Sequence, residues 1–485
     1  MRAATSVPLA VFLAGLLLAT GCSDSGDAEG SESPKPTGEG ASSPAAAQPG
    51  KLVKEGWFGE AGLHARVEIK GVQRQGATSV LSYTVTSLDQ SPKSVPFAVD
   101  LLDPVGRKLY KPTAPPAAQQ FAPNAPQQLT ATYPALPQNV QRLTALTPGT
   151  AGEFAGVPVT GGGGAPAGGG QAAGGNPAFL YDITEGEIKD VTSSGSDVTV
   201  NLRTDVLFAF DSAELSGRAK QVLDEAAAEI KAKADPNKRP LTFNGHTDSK
   251  GADDYNLKLS RQRAESVMAE LKKRLGGAFK YSAHGKGEAE PIAKEGGKDD
   301  EKARARNRRV EIQYEVRQVT EGANGSTTAS ADGRGAAVPP AAFRASDGEK
   351  VASRYARFGE QKRRLDVKPF YRDGAYIVAV FDIVNEGPAD TPPNAAYPHR
   401  DYPGGFFTSM AIQVPGGTDT YRAVRVGKAD PGKPAPYIAS AGAAYRTGVE
   451  EPVRGFAYIP APPGNVSTVT FVGGPFGNTN NVPVQ

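Results

Sequence analysis

The sequence predicts an α+β centre flanked by two related β-sandwiches, and three observations carry that expectation. Residues 178–317 switch between strand-like alternation and apolar spacing at helical period. Residues 51–160 and 346–485 show alternation alone, and these two outer segments repeat one another. At 485 residues with 57 Gly and 40 Pro, the chain has room for about two to four domains and the linkers between them. A net charge of +2 excludes a protein built to seek polyanions, so no nucleic-acid partner is expected.

The chain begins with Arg2 and an uncharged, mostly apolar run from Ala3 to Gly21 that ends in Leu18-Ala19-Thr20-Gly21-Cys22. A run of that length also suits a retained signal anchor. However, the sole cysteine directly follows a small-residue cleavage pattern, and the segment resembles a bacterial lipoprotein signal. That resemblance implies removal of residues 1–21 and a lipid on Cys22, which would hold the mature chain at a membrane. A lone cysteine excludes an intrachain disulfide framework. Residues 22–50 are almost all Ser, Gly, Ala, Pro, Glu, Asp and Lys; they cannot bury a core and are expected as a disordered tether.

Residues 51–160 alternate as half-buried strands do, at Ala65-Val67-Ile69, Val80 to Val85, and Val95-Phe97-Val99. No helical pattern of useful length interrupts them, so a small antiparallel sandwich of immunoglobulin-like type is expected. Residues 161–177 form a Gly-rich linker, and it lacks the lysine that a phosphate loop needs. Residues 318–345, rich in Ser, Ala, Gly and Pro, are expected as a second linker. Residues 346–485 then repeat the first sandwich. Phe58-Gly59-Glu60 answers Phe358-Gly359-Glu360, and Ile69-Lys70-x-Val72-x-Arg74-x-Gly76 answers Val367-Lys368-x-Phe370-x-Arg372-x-Gly374. The closing stretches also correspond, from Pro134 and Pro460 to the Val-Pro-Val runs at Val157 and Val482.

Within 178–317 a strand at Val198 to Leu202 leads to Phe208-Ala209-Phe210. Ser216 then offers an N-cap for a helix to about Ala232, with Val222, Leu223, Ala226 and Ile230 inward. A strand from Pro240 to Gly245 places Leu241 and Phe243 on one face. The chain turns at Thr247 to Gly251 and runs as a helix from about Asp253 to Leu275, with Tyr255, Leu259, Val267, Leu271 and Leu275 as its buried stripe. Strands near Tyr281 to His284 and at Val310, Ile312, Tyr314 and Val316 complete a mixed sheet with helices on one side. Asp248 ends a strand, and Arg263 lies on the helix between Leu259 and Val267. An arginine in an apolar stripe needs a partner, because a buried unpaired charge costs several kcal/mol. This places an acid at the mouth of a crevice and a base on its wall.

The stretch Thr247-Asp248, Gly251, Tyr255-Asn256, Leu259-Ser260, Arg263-Ala264 and Val267 resembles the peptidoglycan-associating domain shared by OmpA-like, Pal-like and MotB-like proteins. Val206-Leu207-Phe208-Ala209-Phe210-Asp211-Ser212 upstream and Asn307-Arg308-Arg309-Val310 downstream agree with it. The sequence departs from the family pattern at Ala303, where Gly is usual, and in a charged insertion from Lys294 to Glu301. The resemblance implies a non-enzymatic envelope protein, without cofactor or metal, that recognises the diaminopimelate of peptidoglycan stem peptides. Its ligand carries an ammonium and a carboxylate on one carbon. Asp248 supplies the acceptor for the first and Arg263 a planar donor fork for the second. The resemblance also brings Phe210 and Asp211 as one wall, Thr247 and Asn256 as loop or ligand contacts, and an arginine of the Asn307-Arg308-Arg309 run near the site; strand alternation lets only one of Arg308 and Arg309 face it, and Arg308 is assigned.

Other readings of these residues remain open on the sequence alone. Asp248 and Arg263 fit an internal salt bridge, Asn256 a helix cap, and Phe210 the core. His246 and Asp248, two apart on an extended segment with His284 as a third donor, would suit a zinc hydrolase, but zinc normally takes three or four protein ligands. The cluster Arg304, Arg306, Arg308 and Arg309 suits either a solvated face or an attractor of anionic polymers. The sandwiches could dock envelope proteins, making the chain an assembly scaffold. Either role places the protein in the cell envelope, facing the wall from the cytoplasmic or the outer membrane.

Overall fold

The computed structural model describes residues 51–162, 177–297, 300–317, 337–390, 396–429, 433–440 and 448–485. The expected signal peptide, Cys22, the tether and most of both linkers lie outside the described residues. Residues 50–485 form one compact unit. Among the described residues no helix is long and apolar enough to cross a membrane.

Strands Leu52–Phe58, Leu63–Gln75, Thr78–Ser87 and Pro126–Pro134 pair antiparallel in that order. A second sheet runs Lys108–Tyr110, Asp100–Asp103, Arg142–Leu146 and Glu153–Thr160. The alternating apolar residues of both sheets, among them Val67, Leu81, Tyr133, Leu143 and Phe154, meet in one core. Strand Glu153–Thr160 also crosses back to pair in parallel with the first sheet, Val159 against Val72.

Residues 352–484 pair their strands in the same order. Ala352–Phe358, Gln361–Val367, Tyr376–Asn385 and Pro452–Pro460 form one sheet. Thr420–Arg422, Met410–Gln413, Thr468–Gly473 and Asn478–Pro483 form the other, around a core that includes Leu365, Phe381, Phe471 and Val482. The parallel crossing recurs as a bridge between Phe370 and Val484. Hairpin glycines recur too: Gly76 and Gly374 have φ of 62° and 58°, a region that side chains with a Cβ rarely adopt.

Between these modules the central sheet runs Ala178–Glu185, Lys189–Ser194, Asp197–Arg203, Arg309–Glu315, Leu241–His246 and Tyr281–Gly285, with only the last pair parallel. Four α-helices accompany it among the described residues: α1 (Thr204–Leu207), α2 (Gly217–Lys233), α3 (Asp253–Leu275) and α4 (Asp300–Asn307). Ser216 caps α2 by accepting from the Ala219 N–H at 3.2 Å. α3 begins with Asp253 and Asp254 and ends with Lys272, Lys273 and Arg274, so its charges oppose the helix dipole, and Gly276 ends it at φ 73°. Helices α2 and α3 share one core with the sheet through Val222, Leu223, Ile230, Val267, Leu271, Phe243, Ile312 and Tyr314.

The stripe expected on α3 needs one correction. Tyr255 is 47% exposed and Leu259 half-buried, while Asn256, Ser260, Arg263, Ala264, Val267, Leu271 and Leu275 are buried. The first turn of α3 overhangs the crevice rather than the sheet.

The three parts are joined by one strand. Ala178–Glu185 pairs through Ala178 and Phe179 with Lys108–Tyr110, and through Thr184 and Glu185 with Thr420–Arg422. A fourth core between the outer modules gathers Leu102, Leu109, Leu180, Tyr376, Val424 and Tyr458. Part of the expected second linker also packs. Phe343 stacks on Phe154 with ring centroids 5.9 Å apart, and Arg344 lies 4.9 Å over the Tyr371 ring.

Candidate functional site

The crevice is built from the turn after α1, the turn between Leu241–His246 and α3, the first half of α3, and the C-terminal end of α4. In the turn after α1, Asp211 takes φ 56°, which aspartate tolerates better than most residues. This turn leaves Phe210 fully exposed and Phe208 in the core, so Phe210 is not a core residue. The Tyr255 hydroxyl donates to Asp211 Oδ1 across the opening, which raises the Tyr255 pKa.

Arg263 is 6% exposed, with its guanidinium 5.5 Å from the Phe208 ring centre. Its Nε donates to the Ser212 carbonyl at 2.9 Å, and neither Nη group has a protein acceptor among the described residues. Burial pulls its pKa below the usual guanidinium value, and the Asp205 and Asp211 carboxylates oppose that pull. Only the Nε edge of the guanidinium is thus used within the protein among the described residues.

Asp248 makes no ion pair with Arg263 among the described residues. Its Oδ2 takes Arg308 Nη1 at 2.7 Å, and its Oδ1 accepts the Lys250 N–H at 3.3 Å. Arg308 also grips Asp205 through Nε and Nη2 at 2.9 and 2.6 Å, and Glu301 at 2.9 Å. These hydrogen bonds, that to Asp205 first, raise the Arg308 pKa against the effect of burial. Asp205 and Glu301 were missed by sequence reasoning; both lie outside the motif, on helices too short to show a period.

Asn256 ties the turn down. Its Nδ2 donates to the Lys250 carbonyl at 3.0 Å and to Glu288 Oε2 at 2.8 Å. It does not cap α3, whose cap position is Ala252. The buried Thr247 hydroxyl has no partner among the described residues. Arg309 points away, 2% exposed, and hydrogen-bonds to Asn201 at 3.1 Å. The arginine cluster is therefore neither a solvated face nor a free basic patch: Arg304 pairs with Asp300 and Glu301, and Arg306 is enclosed by Glu185, Asp190 and Asp401.

His246 is 1% exposed, and both ring nitrogens lack partners among the described residues. Burial, then Arg309 and Lys286, lower its pKa to about 2, so it is a poor base at neutral pH. Among the described residues no group of three or more His, Cys, Asp or Glu is placed to hold a metal.

The fold defines an α+β domain in which the motif residues bring acidic and basic groups together. Residues 207–308 match the OmpA family model, so the chain carries an OmpA-type domain. The probable lipoprotein YiaD of Escherichia coli is 33% identical over 146 residues, which are 28% of this chain and 64% of that protein. Outer membrane protein A of Serratia marcescens is 38% identical over 91 residues, or 19% of this chain and 25% of its own. The chain thus spans less than two thirds of these relatives. Among solved structures, the peptidoglycan-associated lipoprotein from Burkholderia pseudomallei is 29% identical, over 23% of this chain and 88% of that one, with a TM-score of 0.20. The cell wall anchor of the T6SS from Pseudomonas aeruginosa is 29% identical over 27% and 88%, with a TM-score of 0.23.

Proposed function

We propose that this protein is a non-enzymatic envelope lipoprotein that holds a membrane to the cell wall by binding peptidoglycan. The observation that carries this reading is the buried Arg263 fork, whose two Nη groups have no protein acceptor among the described residues and whose charge is offset by Asp205 and Asp211. A diaminopimelate end group presents a carboxylate to that fork and an ammonium to Asp248 Oδ1 and Asp211. Charge-assisted hydrogen bonds of this kind contribute about 1.5–3 kcal/mol each. In this reading Thr247 and Asn256 hold the turn or touch the ligand, the exposed Phe210 forms an apolar rim, and Arg308 orients Asp248. So small an epitope gives affinity of roughly micromolar order at best. Retention then comes from many wall copies and from a second attachment by lipid on Cys22.

In this reading residues 1–21 are a signal peptide, 22–50 a tether, and 51–160 and 346–485 immunoglobulin-like modules either side of the wall-binding domain at 178–317. The names and the motif of the relatives support it. Arg263→Ala and Asp248→Ala should each abolish co-sedimentation with purified peptidoglycan while circular dichroism stays unchanged. Co-sedimentation by both variants at the level of the parent protein would refute the assignment.

A further inference from the structure

The charged insertion that departs from the OmpA pattern is gripped by the C-terminal module, and two routes lead from that grip to the crevice. Both begin at Asp401. Its Oδ1 accepts the Lys294 N–H at 3.2 Å, and its Oδ2 takes Arg306 Nη1 at 2.5 Å. Arg306 Nη2 donates to the Tyr402 hydroxyl at 2.9 Å, which in turn donates to Glu185 Oε1 at 2.6 Å. The Tyr402 ring also lies 5.7 Å from the Arg306 guanidinium and 5.9 Å from that of Arg422.

The first route continues through the residue after Lys294. Glu295 Oε2 accepts from the Ser249 N–H at 3.3 Å and from its hydroxyl, and Ser249 directly follows Asp248. The second passes along α4 from Arg306 to Arg308, which holds Asp248 at 2.7 Å. Asn307, fully buried, joins the two. Its Oδ1 accepts from the N–H groups of Ile292 and Ala293, and its Nδ2 donates to Glu295 Oε1 at 2.6 Å.

We propose that Asp401 and Tyr402 are positioning residues of the ligand site, clamping residues 293–297 and 300–308, which fix Asp248. This rests on the wall-binding reading of the crevice. The physical case begins with α4, which has eight residues and buries only Ala303 and Asn307. A helix this short is marginal alone, so ion pairs must supply the anchoring that apolar burial does not. At the clamp three guanidinium groups, Arg203, Arg306 and Arg422, face three carboxylates, Glu185, Asp190 and Asp401. Asp401 is the carboxylate that the C-terminal module contributes. Deleting it leaves one positive charge in excess in a largely buried cluster, a costly state that the segment relieves by shifting. A shift at Arg306 moves Arg308 and loosens Asp248. By linkage, ligand on Asp248 must in turn tighten the clamp.

The test compares the full mature chain with its Asp401→Ala and Tyr402→Phe variants. Calorimetry measures binding of a stem peptide ending in free diaminopimelate, and hydrogen–deuterium exchange is followed with and without peptide. Asp401→Ala should bind about tenfold more weakly, within the usual range for coupled sites, and Tyr402→Phe less weakly than that. Amide exchange should rise across 293–308 and at Ser249 and Lys250 while both outer cores stay protected, and peptide should slow exchange around Asp401 in the parent protein. Unchanged affinity and unchanged exchange in Asp401→Ala overturn the proposal. A parent protein that binds no peptide refutes the wall-site reading instead, and exchange without peptide still decides the clamp. If Asp401→Ala unfolds globally, Tyr402→Phe decides alone, because it keeps the ring over both arginines and loses only the bridging hydroxyl.

Discussion

Arg308 and Arg309 are neighbours with opposite fates: Arg308 directly follows the end of α4, while Arg309 opens the strand Arg309–Glu315 and is buried. Arg308 reaches the crevice, while burial lowers the Arg309 pKa to about 10 behind it. Motif and expected alternation led to one of the pair, Arg308, as the residue at the site; in the structure Arg308 holds Asp248 and Arg309 is buried. His246 was legible as a residue near the motif but not as a buried one, since its burial, and the Arg309 and Lys286 charges that help lower its pKa, come from elsewhere in the chain. It makes acid stability testable. The folded-state pKa of about 2 lies below the ordinary imidazole value of 6.5, so below pH about 6.5 the unfolded chain binds a proton that the folded chain does not. Stability should then fall with acidification by up to about 1.4 kcal/mol per pH unit from this residue. Urea titrations of His246→Gln between pH 7 and 4 should show a shallower acid slope than the parent protein; equal slopes would contradict a neutral buried imidazole.

At the scale of elements, α3 lies on the sheet at a distance that glycine sets. A Cβ at Gly245 would stand 1.8 Å from the Ser260 carbonyl oxygen, and one at Gly285 would stand 2.5 Å from that of Leu257. Both obstacles are backbone, so neither can swing aside. Gly245→Ala should lift α3, cost more than about 3 kcal/mol in chemical denaturation, and weaken ligand binding because Arg263 rides on the same helix. A loss under about 1 kcal/mol would show that the helix packs otherwise. The helix itself was readable from apolar spacing and its terminal charges. Its first turn was misread because Tyr255 answers to Asp211 across an opening, not to the sheet beneath. α4 was unreadable: it is largely charged, and Glu185, Asp190 and Asp401, which hold it, are distant in sequence.

For the whole molecule, Leu180 is the point where the three parts meet. It is fully buried, pairs with Val426, accompanies the pairing of Ala178 and Phe179 with Lys108–Tyr110, and sits in the core between the outer modules. Leu180→Ala should cost about 2–5 kcal/mol, and calorimetry should show residues 50–485 melting at a lower temperature in one transition. Separate transitions with only one displaced would mean that the modules unfold independently.

Sequence by itself determined what local pattern and motif encode. Alternation and helical period mark the main strands and α2 and α3, the motif identifies Asp248 and Arg263, and the aligned repeat sets Val72 opposite Phe370, both of which lie in parallel crossings. Only the tertiary structure decided that Asp248 pairs with Arg308, that Arg263 keeps a free fork, and that Ala178–Glu185 is shared by all three parts. Those outcomes depend on charges and strand edges brought together from positions tens to hundreds of residues apart. No periodicity within one segment records them.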